Sequence, residues 1–88
     1  MSINKEVLKK KIIYRSTYRG TKEMDSLLSS FTKNYIHTFT DSELIFFCDF
    51  LDLDDENLYK FNQGIKISIK IEDNKVTDLF KNFKYNNN

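Results

Sequence analysis

The sequence contains no proline and no tryptophan, and its 88 residues include only one cysteine, one histidine and two glycines. The lone cysteine, Cys48, excludes an internal disulfide bond, and its position in an apolar run predicts a buried thiol in a reducing compartment. No apolar run approaches the roughly 20 residues that cross a bilayer, so we predict no membrane insertion. Residues 1–11 have the composition of neither a secretion signal nor a transit peptide, and we therefore expect a cytoplasmic protein of bacterial type.

The chain also lacks the residue clusters that catalysis and metal binding require. His37 has no cysteine or carboxylate cluster at ligand spacing, and no glycine-rich loop is present to hold phosphates. The acidic segment 49–56 has no glycine turn of the kind found in calcium-binding loops. We therefore predict a protein that is not an enzyme, with no catalytic residue, no metal site and no stably bound cofactor.

The sequence does contain enough apolar material for one small core, with 40% hydrophobic and 15% aromatic residues. A chain of this length buries roughly 60–65% of its unfolded surface and has no room for a second domain. We predict a single domain over residues 1–88, ordered from about 4 to 84. The asparagine-rich end at 85–88 is expected to be a disordered tail.

Helical periodicity and helix-end signals predict an all-α bundle of four to five helices. The clearest start is a capping box formed by Thr40 and Glu43. In the first helix, Val7, Leu8 and Ile12 recur at helical spacing and are predicted to face the core. The third helix is apolar on nearly every side, which predicts either the central helix of the bundle or a helix with one face reserved for a partner. The predicted ranges are about Asn4–Tyr18, Thr21–Thr38, Asp41–Leu51, Asp54 or Asp55 to Gly64, and Asp73–Phe83.

Between the last two helices, Ile65–Ile71 alternates strictly between isoleucine and polar residues, a pattern typical of a strand. A single strand would have no partner within this chain. We therefore predict an extended connector whose isoleucines lean on the bundle. Pairing of this segment with a second molecule is the alternative.

The formal net charge of +1 hides a strong separation of charge along the chain. Residues 1–22 carry seven basic groups against one acid, Glu6, whereas residues 41–56 carry seven acids and no base. This pattern indicates attraction between the first and third helices within the molecule, or an oriented encounter with a charged partner. Ordinary solvated faces are a third explanation.

The segment Arg19-Gly20-Thr21-Lys22-Glu23 uses one of the two arginines and one of the two glycines. Gly20 suits the end of the first helix, where a left-handed conformation costs a glycine least. Glu23 lies in the first turn of the second helix, where a carboxylate interacts favourably with the helix dipole. An acid at this position needs no function to explain it, but an exposed corner between two helices could equally bind another protein.

The basic first helix suggests a different function, because lysine and arginine contact phosphates and because Tyr14 and Tyr18 could stack on bases. The small net charge and the acidic block argue against this function, since both weaken the attraction for a polyanion. A small nucleic-acid-binding module or a general protein-interaction module nevertheless stays open as the alternative.

Tyr14, the RGxxE signature from Arg19 to Glu23, and Asp25 precede a capped helix and an Asp-Asp-x-x-Leu-Tyr segment at 54–59. Over about residues 8–83, this arrangement resembles the FAD assembly factors of succinate dehydrogenase. The resemblance implies a small all-helical factor that binds the flavoprotein subunit of succinate dehydrogenase and promotes covalent attachment of FAD to it. FAD is then the cofactor of the client, and the factor assists an autocatalytic reaction of that client.

By this resemblance, the partner-binding surface consists of Tyr14, Arg15, Arg19, Gly20, Glu23 and Asp25. The signature residues form its centre and the other three flank it. Tyr18, Thr21 and Phe61 depart from the residues that are frequent in the family, and the first two of these lie on the expected contact surface. We expect a monomer that binds its client one to one. Whether fumarate reductase is also a client stays open.

Overall fold

The computed structural model describes residues 4–84, and this range contains five α-helices, one 3₁₀ turn and no strand. The all-α prediction is therefore confirmed, whereas the predicted tail at 85–88 lies outside the described residues. The helices are α1 (Lys5–Thr17), α2 (Lys22–Tyr35), α3 (Asp41–Phe50), α4 (Asp55–Gln63) and α5 (Lys75–Asn82), and the 3₁₀ turn (Ile36–Thr38) follows α2.

Each α-helix begins at a side chain that accepts a hydrogen bond from a backbone N–H three residues further along. This satisfies one of the amide groups that a helix leaves unpaired at its start. The predicted capping box is confirmed, since Glu43 Oε1 accepts from the Thr40 N–H at 2.8 Å. The same hydrogen bond favours the ionised carboxylate and holds the pKa of Glu43 below its ordinary value. The five capping residues are Asn4, Thr21, Thr40, Asp54 and Asn74.

The core is built around the ring of Phe31, which comes from the middle of α2. Its centroid lies 5.1–6.5 Å from those of five other aromatic rings, in tilted or edge-on arrangements that favour aromatic pairs. These rings come from α2, from the segment before α3, from α3 and from the end of the chain's last helix, so one side chain joins most of the fold. They are Tyr35, Phe39, Phe47, Phe80 and Phe83.

The buried face of α1 differs from the prediction. Ile12 and Ser16 are buried and Leu8 is half-buried, but Val7 is 60% exposed. Successive helical residues are separated by about 100°, and Leu8, Ile12 and Ser16 follow each other every four residues on one line. Val7 lies off this line, and the prediction that it faces the core is wrong.

The third helix is less enclosed than its apolar composition suggests. Leu44, Phe47 and Cys48 are buried, as predicted for the thiol, and the helix contacts both α1 and α5. Ile45 and Asp49 are nevertheless exposed on the opposite side. One face of this helix therefore lies in solvent, and the helix is not enclosed on every side.

The segment after Gly64 forms no strand within the described range, in agreement with the predicted connector. Gly64 itself ends α4 in the left-handed conformation, with φ of 76°. Ile65 and Ile69 are exposed, whereas Ile67 and Ile71 are half-buried, and Ile71 packs against the core. Two isoleucines four residues apart, Ile67 and Ile71, thus lie against the protein.

The charge separation along the sequence is matched by ion pairs within the molecule. Lys5 Nζ lies 3.6 Å from Asp41 Oδ1, at the opposite end of the interface from a pair between Arg15 and Asp52. A third pair joins Arg19, which follows α1, to Asp55 at the start of α4. The basic first helix therefore faces the acidic third helix and the loop that follows it. Exposed pairs such as the first contribute at most about 1 kcal/mol each.

Two buried polar side chains differ in whether they are satisfied. The Asn62 amide donates to the carbonyls of Phe80 and Phe83, both at 2.8 Å, and so pairs two acceptors at the end of α5. The hydroxyl of Thr32 is buried between α1 and α2 and has no hydrogen-bond partner within residues 4–84. Unpaired buried polar groups cost stability, whereas paired ones contribute to it.

We expect Asn62→Ala to lower the free energy of unfolding by about 1–3 kcal/mol, because it removes two hydrogen bonds that each contribute about 0.5–1.5 kcal/mol. Thr32→Val removes only an unpaired hydroxyl at nearly constant volume, and we expect it to raise the free energy of unfolding by about 1 kcal/mol. Urea unfolding followed by circular dichroism measures both values. A loss of stability in the valine variant would contradict the assignment of Thr32 as unpaired.

Candidate functional site

The signature glycine lies at a corner between two helices. The first helix ends at Thr17, one residue before the predicted end at about Tyr18, and Thr21 caps the next helix. Gly20 has a φ of 116°, a conformation that L-amino acids rarely adopt. A Cβ built on it would meet no atom within 4 Å. The corner therefore needs glycine for its backbone conformation and not for lack of space.

Arg19 points into the protein, and its side chain is only 10% exposed. Its Nε donates to Asp55 Oδ1 at 2.9 Å, while its two terminal nitrogens donate to the carbonyls of Leu51 at 2.9 Å and Leu53 at 3.0 Å. These acceptors belong to the loop between α3 and α4 and to the first residue of α4. One guanidinium thus ties the corner to a segment that lies more than thirty residues further along the chain.

Two of the flanking residues are also engaged within the molecule. The Asp25 carboxylate accepts from the backbone N–H of Arg19 at 2.5 Å, which fixes the corner against the first turn of α2. Arg15 forms the ion pair with Asp52 and donates to the carbonyl of Cys48 at 3.2 Å. Arg15, Arg19 and Asp25 therefore hold the backbone around the corner in one arrangement.

The remaining three predicted residues lie at the surface. Tyr14 is 65% exposed, and its ring lies 4.8 Å from that of Tyr18, which is 69% exposed. Gly20 is exposed at the corner itself. Glu23 is exposed too, and within residues 4–84 its carboxylate has no hydrogen-bond or ion-pair partner. The structure thus divides the six predicted residues into three that hold the corner and three that face solvent.

A groove between α2 and α4, beside the corner, was missed at the level of sequence. The groove contains a cavity of about 460 Å³ that is lined by Glu23 of α2 and Tyr59 of α4. Tyr59 is 48% exposed. The adjacent Leu58 is fully buried, and neighbouring residues of a helix face directions about 100° apart. This angle between Leu58 and Tyr59 could have predicted from the sequence that Tyr59 is exposed if Leu58 is buried.

The geometry is also informative about the other classes of function. Arg15 and Arg19 are both bound to acids of the same molecule, which leaves the first helix fewer free cations for a nucleic acid than the sequence suggests. Among the described residues, no three His, Cys, Asp or Glu side chains are grouped so as to hold a metal ion. None of the helices in residues 4–84 combines the length and the apolar character of a membrane span.

The described residues form a small helical domain whose signature corner is exposed at the surface. Residues 10–84 match the family described as the flavinator of succinate dehydrogenase, and the chain belongs to this family. The resemblance found in the sequence is therefore confirmed. The chain is also 41% identical over 54 residues to succinate dehydrogenase assembly factor 2, mitochondrial, of Scheffersomyces stipitis.

The aligned region of this relative covers 61% of the chain and 36% of the relative. The chain therefore spans only about a third of the length of the curated protein that it matches. No solved structure matches the chain significantly.

We expect Arg19→Lys to lower the free energy of unfolding by roughly 1.5–3 kcal/mol, because one ammonium group cannot reach Asp55 and both loop carbonyls together. Arg15→Lys is the matched control. Its acid partner, Asp52, is exposed, so we expect a loss below about 1 kcal/mol. Urea unfolding of both variants gives the comparison, and equal losses would contradict the anchoring role of Arg19.

The two enantiomers of alanine at position 20 should behave differently. L-Alanine must be forced into a positive φ, and we expect a loss of roughly 1–3 kcal/mol. D-Alanine favours positive φ, and Gly20 is exposed at the corner, so we expect stability close to that of the natural chain. Chemical synthesis followed by thermal unfolding measures both. A D-alanine variant as unstable as the L-alanine one would show that the side-chain space and not the backbone is limiting.

Proposed function

We propose that this protein binds the flavoprotein subunit of succinate dehydrogenase and thereby promotes covalent attachment of FAD to that subunit. Membership of the flavinator family supports the reaction. The relative from Scheffersomyces stipitis is named as an assembly factor of succinate dehydrogenase, the same enzyme. The observation that carries the proposal is the exposed carboxylate of Glu23, which has no partner within residues 4–84 and lies next to a corner held by internal hydrogen bonds.

In this proposal, the six residues of the binding surface act in two ways. Glu23, Gly20 and Tyr14 contact the client, because these residues are exposed. Arg19, together with Arg15 and Asp25, contributes to binding by keeping the contact surface in one conformation. A surface that is already ordered loses little conformational entropy on binding, so more of the contact energy is available as affinity.

The chain assists the reaction by positioning. The bond to FAD forms within the client, between a histidine nitrogen of that subunit and a methyl carbon of the flavin ring. The histidine N–H and one methyl C–H bond break, and the two protons and two electrons remain on the flavin as its reduced form. We propose that docking of the corner favours the arrangement of a mobile client domain in which the histidine and the methyl group meet. Correct placement of reacting groups can account for a large part of a rate increase without any reacting group from the helper.

The same proposal extends to the domain organisation, the stoichiometry, the range of clients and the compartment. We infer a single domain over residues 1–88 that acts as a monomer, with one copy bound to each client subunit. Fumarate reductase would be a second client where it is present. We place the protein in the cytoplasm, whereas the relative from Scheffersomyces stipitis is named as mitochondrial. Analytical ultracentrifugation of the complex and subcellular fractionation check the stoichiometry and the compartment.

Coexpression with the flavoprotein subunit tests the proposal directly. We expect Glu23→Ala to lower the rate of flavin attachment at least about tenfold, as for the loss of an interface group worth about 1.4 kcal/mol. Gly20→Arg should reduce it too, because it alters the corner itself. Fluorescence of the denatured subunit after electrophoresis measures covalent flavin. Undiminished attachment in both variants, with the fold intact, would contradict the assignment of the site.

The control for Glu23→Ala is Glu6→Ala. Glu6 is an exposed acid in the first turn of α1, just as Glu23 is an exposed acid in the first turn of α2. Both variants lose a favourable interaction with a helix dipole, worth about 0.3–1 kcal/mol. Glu6→Ala also loses an exposed ion pair with Lys9, at 3.9 Å, which contributes at most about 1 kcal/mol. We expect similar small losses of stability in the two variants and a loss of flavin attachment only in Glu23→Ala.

A further inference from the structure

The groove between α2 and α4 is elongated and continues past the signature acid. Its larger cavity, of about 460 Å³, extends towards the end of the chain and is lined by Lys22 and Lys84. A smaller cavity of about 240 Å³ extends the other way, towards Asp55 at the start of α4. Glu23 and Tyr59 line both cavities. We call the two together the α2–α4 groove.

One end of the α2–α4 groove carries two ammonium groups that the protein does not neutralise. Within residues 4–84, no carboxylate oxygen lies within 4 Å of the amine of Lys22 or Lys84, although six other basic side chains form such pairs. Lys84 Nζ donates to the carbonyl of Asn62 at 3.0 Å, which holds its charge at the groove. This end therefore favours an anionic group such as a carboxylate.

The middle of the groove requires the opposite chemistry. The ionised carboxylate of Glu23 can only accept hydrogen bonds, so an occupant must present a donor there. A peptide backbone has an N–H at nearly every residue, whereas the diphosphate of a dinucleotide has none and would be repelled. Tyr59 adds a half-exposed ring, which combines apolar contact area with a hydroxyl group. An acidic peptide supplies both groups that this groove favours, a carboxylate for the lysines and an N–H for Glu23.

We propose that the α2–α4 groove binds an extended acidic segment of the flavoprotein subunit. An aspartate or glutamate of that segment lies between Lys22 and Lys84, its backbone donates to Glu23, and a side chain packs on Tyr59. The proposal rests on the proposed function and deepens it, because it makes Glu23 part of a groove and not only of the corner. It also adds Lys22, Tyr59 and Lys84 to the residues that contact the client.

The test measures binding of the purified protein to the apo flavoprotein subunit by calorimetry. We expect the Lys22→Glu, Lys84→Glu double variant to raise Kd at least about tenfold, and the Lys22→Gln, Lys84→Gln variant to raise it less and to flatten its dependence on salt. Lys33→Glu is the matched control. It reverses a charge on the same helix, about 16 Å from Lys22 by helical rise, and should leave Kd within about twofold of that of the natural chain.

A photoreactive benzoylphenylalanine at position 59 then identifies the bound segment by mass spectrometry. Crosslinks to an acidic segment of the subunit support the proposal, and crosslinks confined to segments without acidic residues overturn it. Retention of FAD by the isolated protein in equilibrium dialysis, lost in the double variant, would assign the groove to the nucleotide and overturn the peptide. Thermal unfolding confirms that each variant is folded.

The two proposals fail in different ways. If the natural chain neither binds the flavoprotein subunit nor raises flavin attachment, the proposed function is wrong and the groove proposal falls with it. If the natural chain does both and the two double variants bind as tightly as it does, only the groove proposal is overturned.

Discussion

The guanidinium of Arg19 is the group on which the arrangement of the site depends. It has more donors than any other side chain, and it uses them on one carboxylate and two carbonyls of the loop between α3 and α4. A buried charge is costly unless it is paired and hydrogen-bonded in this way. Because these acceptors satisfy it, the corner after α1 is fixed to a distant part of the chain, and the solvent-facing side chains beside it keep a constant direction.

The separation of charge along the sequence has a related consequence. Three of the seven basic groups in residues 1–22 pair with three of the seven acids in residues 41–56, so part of the opposite charge is used inside the molecule. The charged side chains that have no ion-pair partner within residues 4–84 are more informative about binding than the net charge. Glu23, Lys22 and Lys84 have no ion-pair partner within residues 4–84, and all three line one groove.

Local signals in the sequence were sufficient for the helices. Side-chain caps such as Thr40 and Asp54 lie within three residues of the amides that they bind, so a short window contains the whole interaction. The long-range bonds of Arg19 could not be predicted in this way, because these three acceptors are 32 to 36 residues distant and two of them are backbone carbonyls that any residue possesses. Only its fourth acceptor, the carbonyl of Arg15, is local. The error at Val7 has another origin, since apolar character alone does not say which face of a helix is buried.

The carbonyls that Asn62 pairs at the end of α5 link the last helix to the groove. At eight residues, α5 is too short to be stable alone, and its helical state depends on docking against α4 and the core. The same docking brings Lys84 to the carbonyl of Asn62. Local opening of α5 would therefore withdraw one of the two lysines from the groove, so the affinity of that end for an anion is thermodynamically coupled to the fraying equilibrium of the last helix.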